Sequence, residues 1–88
     1  MVLSAHEHFY ERFAPQDAEG RPDEVRGIRQ FVAGTGGAFL YQPSTVAANS
    51  EVRVSAYGVL KFTLSAGRFQ WEFMPVSGPG DVGSGQCH

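Results

Sequence analysis

Two alternating runs near the C-terminal end, Val59-Leu60-Lys61-Phe62-Thr63-Leu64 and Phe69-Gln70-Trp71-Glu72-Phe73-Met74, are separated only by Ser65 to Arg68, with Gly67 inside the interruption. A period of two places alternate side chains on opposite faces of a strand, and a short glycine-bearing break folds two such runs into a β-hairpin. Leu60, Phe62 and Leu64 then share one face, and Phe69, Trp71 and Phe73 share a face of the partner strand. Aromatic residues arranged in this way are more often core or sheet-face residues than a stacking platform for a sugar or base. With 88 residues the chain forms one domain at most and buries a modest share of its surface, so its core calls for support from metal, a partner chain or further sequence. Its 11 glycines and 5 prolines favour turns and short strands over long helices.

Upstream of the hairpin, Met1 to Ala5 is a short apolar run without turn residues, as in a buried strand. A buried strand that begins at the first residue is a natural consequence of cutting a longer protein, so truncation is expected. Between Glu7 and Arg29 lie 10 of the 16 charged residues together with Pro15, Gly20, Pro22 and Gly27, a pattern that predicts a long solvated loop with one helical turn near Asp23 to Arg26. Ile28 to Ala33 reads as a strand, and Gln42 to Ser50 as a second loop. Gly34-Thr35-Gly36-Gly37 lacks the lysine of a phosphate-binding loop and the spacing of a dinucleotide fingerprint, which leaves a tight turn. Residues 77–88 hold four glycines and a proline and are expected to form a flexible tail. No internal repeat is present.

Charge and composition exclude several partners. A net charge of -2 supplies no clustered basic surface for nucleic acid or an anionic membrane, and no window approaches the ~20 apolar residues that span a bilayer. The N-terminus has no basic segment followed by an apolar run, so the chain carries no export signal of its own and its compartment is not fixed by its sequence. Cys87 is the one cysteine, so neither an intrachain disulfide nor a cysteine-rich zinc site can be built. His88 beside it is terminal.

The chemistry centres on His6 and His8, which directly follow the first apolar run. On an extended backbone residues i and i+2 project the same way, so both imidazoles can face one metal site; the plain alternative is two surface histidines at the start of a loop. Glu7 points to the opposite side on the same argument and reads as a solvated carboxylate. Tyr10, Glu11 and Arg12 read equally as loop-structuring groups behind a metal site or as ordinary surface residues.

Ser4-Ala5-His6-Glu7-His8-Phe9-Tyr10-Glu11-Arg12-Phe13-Ala14-Pro15 resembles the last metal-binding motif of the calcineurin-like metallophosphoesterases, commonly Gly-His-x-His, in the extended Tyr-Glu-Arg form found in purple acid phosphatases and related bacterial enzymes. The likeness continues through Gly27 to Gly37, Gly58 to Phe62 and Trp71 to Phe73, and so covers nearly the whole chain. It implies an α+β, mostly β fragment. Residues 1–76 would be the C-terminal part of the family's four-layer α/β sandwich, built of a short strand, a long loop, a strand and the C-terminal hairpin.

The resemblance further implies that His6 and His8 bind different ions of a two-metal centre of iron, manganese or zinc that hydrolyses phosphate esters. Complete members can be secreted. The family's other ligands, an Asp-x-His, a Gly-Asp, an Asn-His and a further histidine, precede this motif and are absent here, so the chain alone is expected to be inactive. Either the missing N-terminal portion or self-association would then cover its open surfaces. Ala5 stands where the family usually has glycine, which adds a Cβ at a position where glycine tolerates positive φ. A small β module that binds a single metal or a protein partner through its exposed sheet edges is the competing reading, alongside a product without function.

Overall fold

A computed structural model describes residues 1–87, and His88 lies outside the described residues. Among the described residues seven strands follow one another: β1 (Val2–Ser4), β2 (Tyr10–Phe13), β3 (Gln30–Ala33), β4 (Ser50–Val54), β5 (Gly58–Ser65), β6 (Arg68–Pro75) and β7 (Asp81–Gln86). They form a four-stranded sheet of order β1-β3-β2-β4 and a three-stranded sheet of order β5-β6-β7. The β1–β3 pair is parallel and every other pair is antiparallel. The expected helical component is absent among the described residues. Asp23 makes only a single turn, in which its carboxylate accepts the N–H groups of Val25 at 3.1 Å and Arg26 at 3.0 Å. A side chain that satisfies the backbone in this way competes with helix growth.

The hairpin forms as its alternation requires. Leu60, Phe62 and Leu64 stand opposite Phe73, Trp71 and Phe69, and Gly67 takes φ 71 in the two-residue turn, where a side chain would be strained. Phe69, Trp71 and Phe73 are buried, whereas Leu64, at the turn end, stays 67% exposed. The inner face of this sheet meets the first sheet through aromatic rings. Tyr10 stacks on Phe73 at 4.3 Å with an 8° interplanar angle, and Phe31 meets Trp71 edge-on at 5.2 Å. Offset and edge-to-face pairs of this kind add ~1 kcal/mol each beyond the area they bury.

Three strands form where no strand is expected from the sequence. The stretch expected as a solvated loop contains β2, because each of its charged groups finds a partner inside the fold. Glu11 is buried with a 2.6 Å hydrogen bond from the Ser50 hydroxyl, and Arg12 reaches Asp81 and Glu51. Burial of charge is tolerable when it is paired and hydrogen-bonded. β4 begins at Ser50, where the second loop was expected to end, and pairs with β2. The expected flexible tail instead carries β7, paired with β6 along six residues from Asp81 to Gln86. Its glycines fit close approach to aromatic rings: a Cβ at Gly83 would lie 2.2 Å from the Trp71 ring, and one at Gly85 2.6 Å from the Phe69 ring.

Asp81 joins the two sheets at one carboxylate. Its Oδ2 accepts the Tyr10 hydroxyl at 2.6 Å, Arg12 Nε at 2.7 Å and Trp71 Nε1 at 3.2 Å, while Oδ1 accepts Arg12 Nη2 at 3.1 Å. Burial by itself would raise the Asp81 pKa, but the hydrogen bonds from Arg12 and Tyr10, the Arg12 charge and the Trp71 bond outweigh it and hold the carboxyl below its ordinary value. A second carboxylate, Glu51, pairs with Arg12 and with Arg29 Nη1 at 2.6 Å, and both guanidiniums lie 5.1 Å from the Trp71 ring. Two arginines and two acids thereby balance around one indole.

A folded pKa below the unfolded one means that Asp81 stabilises the fold above the unfolded carboxyl value of about 4. That contribution fades as pH falls through the folded value. Chemical denaturation at neutral pH should show Asp81→Ala losing about 3 kcal/mol, since three donors including a guanidinium lose their acceptor, and the variant should lose less further stability than wild type on acidification. A loss below ~0.5 kcal/mol would remove Asp81 from this role.

Candidate metal centre

β1 ends at Ser4, and the chain then leaves the sheet through residues 5–9, none of which is in a strand. His6 takes φ 81, in the left-handed region that costs a non-glycine residue ~1 to 2 kcal/mol, although histidine is among the side chains found there more often than most. The extended-strand argument for two imidazoles projecting the same way therefore does not apply. A bend over residues 6–9 carries both histidines instead. Ala5 is not among the positive-φ residues, so the strained position is His6 and not the alanine before it.

Gly34 permits the turn. Its N–H donates to the Phe9 carbonyl at 3.3 Å, and a Cβ there would lie 2.1 Å from the Glu7 carbonyl oxygen. The Gly34-Thr35-Gly36-Gly37 segment thus needs its first glycine for close backbone approach, whereas Gly36 and Gly37 face open space. Thr35 is buried, and its hydroxyl donates to the Gly58 carbonyl at 2.9 Å while Gly58 N–H donates to the Thr35 carbonyl at 3.2 Å. This reciprocal pair ties the glycine segment to the start of β5.

His8 is half-buried and held on several sides. Its Nδ1 lies 2.7 Å from the Phe39 carbonyl oxygen, its ring meets Phe39 edge-on at 4.9 Å, and it lies 5.1 Å from the Tyr41 ring. The Tyr41 N–H donates to the His8 carbonyl at 3.4 Å, and the Tyr41 hydroxyl donates to Glu7. That last bond raises the Tyr41 phenol above its ordinary pKa. Glu7, read from the sequence as a solvated carboxylate, is exposed but has this partner. His6 is exposed.

The Tyr-Glu-Arg triplet supports the turn from behind. Tyr10 is fully buried, and burial followed by its bond to Asp81 pushes the phenol far above its ordinary pKa, so it serves as a fixed donor. Tyr10 and Arg12 engage Asp81, and Glu11 engages Ser50, which fixes the strand immediately downstream of His8. Among the described residues no group of three or more His, Cys, Asp or Glu side chains is placed to hold a metal ion. Imidazoles suit first-row metals by chemistry, but His6 and His8 belong to no such group of three here. Neither Phe39 nor Tyr41 carries a sequence signal for this contact: the His8–Phe39 bond joins residues 31 apart, and no local pattern marks it.

No protein-family model, curated protein or solved structure matches this chain.

If the His6 turn stores strain, His6→Gly should leave stability unchanged or raise it by up to ~1 kcal/mol in denaturant melts, because glycine adopts positive φ freely. A loss above 1 kcal/mol would mean that the His6 side chain holds the fold and is not free for a ligand.

Proposed function

We propose that this chain is the C-terminal portion of a dinuclear-metal phosphoesterase that hydrolyses phosphate esters, with His6 and His8 contributing to different ions. In this reading its two sheets form an edge of the family's four-layer α/β sandwich. The observation that carries it is where the His-x-His sits: in a strained turn just beyond the carboxyl end of β1, the strand that pairs in parallel. Ligands of open sheets with parallel strands gather outside the carboxyl ends of those strands, and strain concentrates at functional sites. The surrounding Ser4 to Pro15 motif supports the same assignment.

A bound metal pair would supply an activated water and charge to hold the phosphate oxygens. This chain's own part is narrower: it presents two imidazoles and supports the second with the Phe39 and Tyr41 loop. Two imidazoles leave most of a dinuclear donor set to be filled from other residues, so the chain alone binds metal weakly and does not turn over. The reading as a small β module with a protein partner draws on Val2, Leu3 and Val59, which are exposed on the edge strands β1 and β5. A missing N-terminal portion or a second copy would cover the same surface.

Zinc added to the 88-residue chain should shift the imidazole NMR signals of both His6 and His8, while an aryl phosphate remains uncleaved with zinc, manganese or iron. Unmoved histidines would remove the metal assignment. Metal-dependent turnover abolished by His6→Ala would contradict the claim that the donor set is incomplete.

A further inference from the structure

The segment from Phe39 to Tyr41 touches His8 by backbone and by both rings at once. A carbonyl oxygen can only accept, so the 2.7 Å contact between the Phe39 oxygen and His8 Nδ1 requires the proton to sit on Nδ1. In the neutral ring the lone pair is then on Nε2. The Phe39 ring, edge-on at 4.9 Å, and the Tyr41 ring at 5.1 Å limit rotation of the imidazole about its Cβ–Cγ bond. The Tyr41 N–H to His8 carbonyl bond and the Tyr41 hydroxyl to Glu7 bond anchor the loop to the turn that carries the histidine.

We propose that the Phe39–Tyr41 loop is a positioning element for metal capture, with the Phe39 carbonyl fixing His8 as an Nε2 donor and the two rings fixing its direction. The inference rests on the metal-site reading above. Its physical basis is that a ligating histidine whose other N–H is held by an oriented acceptor is fixed in tautomer and aim before the metal arrives. Holding that orientation in advance reduces the ordering cost of binding. Phe39 contributes from an exposed position, 73% open to solvent, so its ring can be changed without opening the core.

The test uses the 88-residue chain, labelled with 15N and free of metal, at a pH where the imidazole signals no longer move. Long-range 1H–15N spectra should show His8 in the Nδ1–H form. Phe39→Gly, which frees the backbone at the accepting carbonyl and removes the ring, should shift His8 toward the Nε2–H form and weaken zinc binding about tenfold. Phe39→Tyr should retain the wild-type tautomer and affinity. Tyr41→Phe, which removes only the bond to Glu7, should give a smaller loss. Unchanged amide signals across the β5–β6 hairpin confirm that each variant is folded.

An Nε2–H ring in the wild type overturns the inference, as does a Phe39→Gly chain with unaltered tautomer and zinc affinity; neither result touches the assignment of the two histidines as ligands. Wild-type histidines that ignore zinc overturn that assignment itself, and the role of the loop with it, even with the Nδ1–H tautomer observed.

Discussion

The Asp81 carboxylate is the interaction on which the arrangement of the two sheets depends. It lies at the start of β7 and accepts from Tyr10 and Arg12 on β2 and from Trp71 on β6, so a single side chain bonds both layers at their aromatic contact. Tyr10 could not be fully buried without an acceptor for its hydroxyl, nor Trp71 without one for its indole N–H. Arg12 would otherwise bring an unpaired charge to the same place. One acid therefore resolves three burial costs in a chain too small to hide them in a large core. Among the described residues no buried side-chain nitrogen or oxygen lacks a hydrogen-bond partner.

The consequence reaches the histidine turn. Tyr10 lies two residues beyond His8, and its stacking on Phe73 together with its bond to Asp81 sets where β2 begins. With β1 fixed beside β3 and β2 fixed on β3's other side, the five residues between β1 and β2 have little room, and Gly34 yields the space they need. The left-handed backbone at His6 follows from this confinement: the chain must reverse quickly between two strands already anchored. The loop containing Phe39 and Tyr41 then closes over Glu7 and His8.

What was legible in the sequence divides along physical lines. The hairpin was readable because its strands alternate, its turn has a glycine and its partners are neighbours in the chain. β3 was readable from an apolar run, to within two residues at its start. β2 was hidden because Glu11 and Arg12 look like solvated charges until Ser50 and Asp81 are seen, and those partners are 39 and 69 residues away. β7 was hidden for the opposite reason. Glycines at 83 and 85 look like flexibility, yet here they fit strand pairing beside the Trp71 and Phe69 rings. The His-x-His pair was visible as a motif, but its geometry was not: an extended backbone was expected where a strained turn is found, and nothing near it in sequence announces the loop that grips His8.

The proposal that His6 and His8 complete a metal centre begun elsewhere in a longer protein is tested most directly by determining the DNA sequence upstream of the Met1 codon in the same reading frame. The account predicts an open frame that encodes an Asp-x-His, a Gly-Asp, an Asn-His and a further histidine ahead of this segment. A stop codon and a ribosome-binding site immediately before Met1, with no such motifs in frame, would contradict it.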